Sequence, residues 1–326
     1  MEDSNRIESY SQEQTVYIPL GGIQIDNQVK QPIALGRIEL AQINESMLTA
    51  LQGKANAITK TMNYENKTLE AFVEEDNEHL SKSLLNKVCA IYHIVAEPSK
   101  AVEVAEAETQ KVLNLLRYTI PDLHSKRSLD VRIDIDTLVP DRYHKTFVLS
   151  SSFFGKQWKR HNENYYISPQ VMDYFEEVGV FAMSDILKKS PSALSDFETT
   201  LLRGIYWFGK SQTHADLENE FLNLTVCLEV FFTPPKGDPI SNTIAEGTAL
   251  WIGDNLEERK RIKQRIKQLY GVRSDVTHGS SKSIAERDIA HLRILTRRVV
   301  STMIQRRSEL NERADIGVWI EEKKLG

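Results

Sequence analysis

The sequence has little of what marks most specialised chains. Its 326 residues include only two cysteines, Cys89 and Cys227. Two thiols cannot build a disulfide framework, and neither has a Cys or His neighbour at zinc-finger spacing, so a reducing compartment fits. Gly (15) and Pro (10) are too few for a fibrous or largely disordered chain. No run approaches the roughly 18 apolar residues of a membrane span. The acidic start, Met1-Glu2-Asp3, has no apolar core of a signal peptide. The expectation is a soluble, cytoplasmic protein with no membrane partner. Catalytic signatures are missing too: there is no Walker A loop, no glycine-rich dinucleotide turn, no Gly-x-Ser-x-Gly and no His-Glu-x-x-His. Positive charge is not in excess either. Lys and Arg number 41 against 46 Asp and Glu, a net charge of −5, so the whole chain lacks the basic balance of a nucleic-acid binder.

What is present falls into two kinds of pattern. In the first part, Val16 to Ile25 reads as two short strands around a Pro/Gly turn, and residues 33–40 as another strand. Residues 88–96 form an apolar, β-favouring run, expected as a buried strand, with Ser99 capping a helix to about Tyr118. Leu129, Val131, Ile133 and Ile135 alternate with charged residues, and residues 143–151 continue the strand pattern. From about Pro191 the period becomes helical. Phe197, Leu201, Ile205 and Phe208 form one stripe, and Leu217, Phe221, Leu224, Leu228 and Phe231 a second, with Asp216 as its cap. Helices follow at 243–252, 256–270 and 284–310, separated by a break at 271–283, and residues 315–321 suggest a terminal strand or docking arm. The fold class expected is α+β: a mixed domain over residues 1–190, then a helical bundle with a tail over 191–326.

The break at 271–283 holds Arg273 and His278, with four residues between them. Arginine forks onto phosphate oxygens, and histidine moves a proton near neutral pH. Together they are a minimal kit for RNA cleavage, in which the substrate's own 2′-hydroxyl is the nucleophile. Spacing alone is weak: 19 Arg and 8 His would give roughly one such pair by chance, and Arg117 with His124 is a second. The setting between two strong helices separates Arg273 from that decoy.

That setting resembles a HEPN domain of the ApeA-like type over about residues 191–311. The likeness rests on Phe221 to Phe232 with its Leu228-Glu229 pair, on Leu202 to Phe208, on Leu269-Tyr270 leading to Arg273-Ser274 and Val276-Thr277-His278-Gly279, and on the long closing helix. The first part resembles, more loosely, the mixed domain that precedes it, through Ile18 to Gly22 and residues 101–116. The resemblance implies a metal-independent endoribonuclease that works as a homodimer, needs no cofactor and leaves a 2′,3′-cyclic phosphate. It implies a place in prokaryotic anti-phage defence, abortive infection or growth arrest, with RNA, tRNA included, as partner, and a sensing or regulatory role for residues 1–190. Arg273 would hold the phosphate and His278 act as general acid/base. Ser274 and Asp275 would orient them, and Glu229 would position Arg273 across the bundle. The alternative is a HEPN module that binds RNA or nucleotide and dimerises without catalysis.

Plainer readings stand beside these. Arg273 and His278 fit an ordinary helix end with Gly279 as turn residue. Ser274 and Asp275 suit loop capping, and Glu229 suits an exposed carboxylate. Arg261, Arg265 and Lys267 belong to a basic helix face that is either an RNA backbone track or simply solvated. Trp158 to His161 is either a base-stacking cluster or a hairpin surface. Asp288 and His291 share a helix face but lack a third metal ligand. The charge is unevenly placed. Residues 256–313 carry 15 Lys/Arg and 7 Asp/Glu, a net +8 inside an acidic chain.

Overall fold

The computed structural model describes residues 11–61, 66–120, 131–136, 143–149, 154–160, 164–213, 216–233, 240–277 and 284–325. It is α+β, with strands concentrated in the first part and helices in the second. Contacts divide the chain into residues 1–110 with 130–172, and residues 111–129 with 173–326. The division does not fall at 190. The helical unit starts earlier and also takes the second half of a helix that begins in the strand-rich unit.

The strand-rich unit is built on β1 (Gln12–Gly21) and β5 (Val88–Ala96), antiparallel neighbours matched from Gln12↔Ala96 to Leu20↔Val88. β3 (Ile33–Leu35), β4 (Ile38–Gln42) and β6 (Asp134–Ile135) complete a five-stranded sheet in the order β3-β4-β5-β1-β6. The expected single strand at 33–40 is thus a hairpin, and of the expected strand at 129–135 the described residues show an isolated bridge at Val131 and a strand at Asp134–Ile135. β2 (Ile23–Ile25) pairs in parallel with β9 (Tyr165–Ile167), and β7 (Tyr143–Leu149) with β8 (Phe154–Arg160) as a separate hairpin. Trp158 to Arg160 lie on β8 by backbone; their side chains and His161 lie outside the described residues. Helices α1 (Glu45–Thr61) and α2 (Asn66–Leu84) sit between β4 and β5, and Leu48 and Leu84 pack with Ile43, Cys89 and Ile91. Burial pushes the Cys89 thiol up to about 12, so this cysteine is core rather than nucleophile.

Helix α3 (Pro98–Thr119) begins two residues earlier than a Ser99 cap would place it. Glu97 accepts the first helical hydrogen bond, from Ala101, Pro98 takes the first helical position, and the Ser99 hydroxyl bonds the Glu97 carboxylate instead of capping. α4 (Pro169–Glu177) and α5 (Val180–Lys188) follow the strands. Then come α6 (Asp196–Ser211), α7 (Leu217–Phe232), α8 (Ile240–Ile252), α9 (Leu256–Thr277), α10 (Glu286–Gln305) and α11 (Ala314–Leu325). A Ser195–Glu198 capping box starts α6, and the Asp216 side chain caps α7 as the sequence suggests. The predicted stripes are buried, except that Leu217 at the start of α7 is exposed. Residues 315–321 form a helix, not a strand. Ile316, Val318 and Ile320 alternate, but 316 and 320 also share a helix face, and Val318 is left exposed. Trp319 seats this helix edge-on against Trp251, with the Arg306 guanidinium 4.5 Å above its ring. Among the described residues no helix is long and apolar enough to cross a membrane.

α6 and α7 meet at Gly204. A Cβ there would run into the Phe231 ring, and the Cys227 thiol donates to the Gly204 carbonyl at 3.1 Å. Gly204→Ala should therefore lower unfolding stability by about 1–3 kcal/mol, through overpacking. Urea denaturation measures it; an unchanged midpoint would show that the two helices can separate freely here.

Candidate functional site

The site expected in a loop is built on a helix. α9 runs through Gly271 to Thr277, so Arg273 lies near its C-terminal end. Gly271 is exposed and tolerated inside the helix, where it costs about 1 kcal/mol relative to alanine. Tyr270, one position earlier, is buried and anchors this turn to α7. Residues three apart lie on one helix face, so the anchor that buries Tyr270 also directs Arg273 toward α7.

There Arg273 meets Glu229. Nη2 lies 2.9 Å from Oε1, and both side chains are about a quarter exposed, at 30% and 20%. The guanidinium also sits over the Tyr270 ring, 5.7 Å from its centroid. The Tyr270 hydroxyl donates to the Thr225 carbonyl and to the same Glu229 oxygen, each at 3.3 Å. Burial pushes the Glu229 carboxyl above its ordinary range, against the opposing pull of Arg273 and of the Tyr270 hydrogen bond. Burial likewise raises the Tyr270 phenol well above its usual value. The arrangement is an oriented cation, fixed from below by a carboxylate and an aromatic ring, with part of its surface open to water. Such a group can take an anionic oxygen without first reorganising.

Of the residues expected to act, Glu229 and Arg273 are brought together. Ser274 and Asp275 stand on the last turn of α9 by backbone, with their side chains outside the described residues. His278 also lies outside the described residues. The basic face, read as either an RNA track or a solvated surface, is partly taken up by contacts within the fold. Arg265 turns to α10, where Asp288 Oδ1 is at 2.6 Å and His291 Nδ1 at 3.1 Å. The Asp288–His291 pair is therefore the partner of an arginine. Lys263 is held by Glu246 at 2.7 Å, and Arg259 donates to the Gly253 carbonyl. Arg261 and Lys267 remain exposed, but six residues at roughly 100° each leave them about 120° apart around the helix. Tyr270 is the member of the site that reasoning from chemistry passes over. Its position three residues before Arg273 is the signal that could have found it.

If the pair is a working contact, a double-mutant cycle of Glu229→Gln and Arg273→Met should give a coupling energy of about 1 kcal/mol. A coupling indistinguishable from zero would mark the pair as idle. The folded chain holds the Glu229 proton more tightly than the unfolded chain does. The stability of the parent relative to Glu229→Gln should therefore decline as pH rises above the ordinary carboxylate range. Paired denaturation curves across that range check the sign.

Comparisons with protein-family models, with curated proteins and with solved structures find no match, so the chemistry of this site rests on its own residues.

Proposed function

We propose that the helical region is a metal-independent HEPN endoribonuclease, acting on RNA in the cytoplasm as a homodimer, within anti-phage defence or growth arrest. The observation that carries the reading is Arg273. It is held by Glu229 and Tyr270 with its side chain 30% exposed, five residues before His278 in sequence. In the proposed step His278 takes the proton of the substrate's 2′-hydroxyl, whose oxygen attacks the adjacent phosphorus. The bond to the 5′-oxygen breaks, and a proton returns to that oxygen. The products are a 2′,3′-cyclic phosphate and a 5′-hydroxyl. Arg273 offsets the charge that gathers on the phosphoryl oxygens. Residues 1–190 would sense the trigger or restrain the nuclease.

A second reading has its own support. Arg273 already has a carboxylate partner, and Arg265 is neutralised by Asp288. Such ion pairs also suit a bundle that binds RNA or dimerises without cutting. Purified protein incubated with total RNA in EDTA separates the two readings. Under the nuclease reading, cleavage occurs, and Arg273→Ala and His278→Ala each reduce it by about 100-fold or more while the circular dichroism spectrum is kept. Binding without cleavage favours the module, and cleavage surviving in both variants removes the nuclease assignment. If Arg261 and Lys267 touch RNA backbone, replacing either with Ala should lower the salt slope of binding by roughly 0.7. Light scattering under active conditions tests the homodimer, which a strictly monomeric active species would exclude.

A further inference from the structure

The helical unit carries a concave feature built from α5, α6 and the 111–119 half of α3. It has a volume of about 250 Å³. Leu115, Met183, Leu187 and Ile205 wall it and are buried, and Leu202 adds a half-buried face. The charged lining is cationic. Lys111 and Arg203 border the pocket and no carboxylate lines it, while the Asn114 carboxamide oxygen accepts from Arg117 at 2.8 Å. Tyr206, 43% exposed, forms the lip and packs edge-on against Trp207, and the Lys210 ammonium stands 5.9 Å from its ring centroid.

We infer that this pocket binds a small anionic amphiphile: a short acyl chain among the apolar walls, with its carboxylate at the Arg203 rim. Three observations support that occupant. The walls offer almost nothing that would satisfy a buried polar group, so the enclosed part of the ligand has to be hydrocarbon. The volume is below the roughly 300–1,000 Å³ of pockets for drug-sized molecules, which suits about eight carbons. The charge at the rim has one sign, and Arg203 presents a planar fork suited to a carboxylate. The site is separate from Arg273, and the inference does not depend on the nuclease reading.

Isothermal titration of the full chain with octanoate tests it, with 1-octanol and octyltrimethylammonium as neutral and cationic comparators. One saturable site is expected for octanoate, with octanol at least 5-fold weaker and the cation weaker still. Arg203→Glu, an exposed substitution, should weaken octanoate at least 5-fold. Leu202→Trp, which fills the pocket, should abolish binding, with circular dichroism checking its fold. Should Leu202→Trp unfold the chain, Arg203→Glu decides alone. Absence of saturable octanoate binding overturns the proposal, as does binding unaffected by Arg203→Glu, and octanol binding as tightly as octanoate overturns the carboxylate's role.

Discussion

The helical unit depends on the burial of α7. From residue 220 to residue 232 none of its side chains is exposed, and α6, α8, α9, α10 and α11 all pack against it. A helix enclosed on so many sides needs a partner for each polar group it carries, because an unpaired buried charge is costly. Its two enclosed carboxylates are met by arginines from neighbouring helices: Glu220 by Arg293, whose Nε lies 2.8 Å away, and Glu229 by Arg273. Its last carbonyls are met by a third, since Arg313 donates to the carbonyls of Val230 and Thr233.

The same device recurs through the bundle. Arg297 reaches the carbonyls of Tyr118 and Ile120 at the end of α3, and Arg298 that of Ile252 at the end of α8. Cations at helix C-termini satisfy orphan carbonyls and complement the helix dipole. The net +8 of residues 256–313 therefore has a large structural share, as arginines that bind helices to one another. Of the three residues named for an RNA track, Arg265 is taken up by Asp288, while Arg261 and Lys267 stay exposed. The case for a catalytic site rests on the positioning of Arg273 rather than on a basic surface.

How much of this was legible in the sequence varies by element. The stripes of α6 and α7 were plain, because their buried apolar residues recur at the 3.6 period. Strand β5 was legible as an unbroken apolar run between turn signals. The end of α9 was not. Gly271 looks like a stop, but a buried Tyr270 outweighs a glycine penalty of about 1 kcal/mol. The C-terminal segment was ambiguous because Ile316 and Ile320 fit both periods, and only the contacts of Trp319 with Trp251 and Arg306 decide for the helix. Within the site, the setting between two helices singled out Arg273 and His278 from the Arg117–His124 decoy, and the family likeness singled out Glu229. No local pattern assigned Arg265 to Asp288, since those residues lie 23 positions apart.

By itself the sequence determined the α+β class, the long apolar strand at 88–96 and the apolar faces of the later helices, all of which follow from periodicity and local turn chemistry. It also supplied the Arg–His spacing. Only the tertiary structure decided which charges are spent inside the fold. An arginine on a helix face is the same letter whether it meets water, a phosphate or a carboxylate from another helix. The choice is made by packing around α7, where burial strengthens some pairs and leaves other cations on the surface.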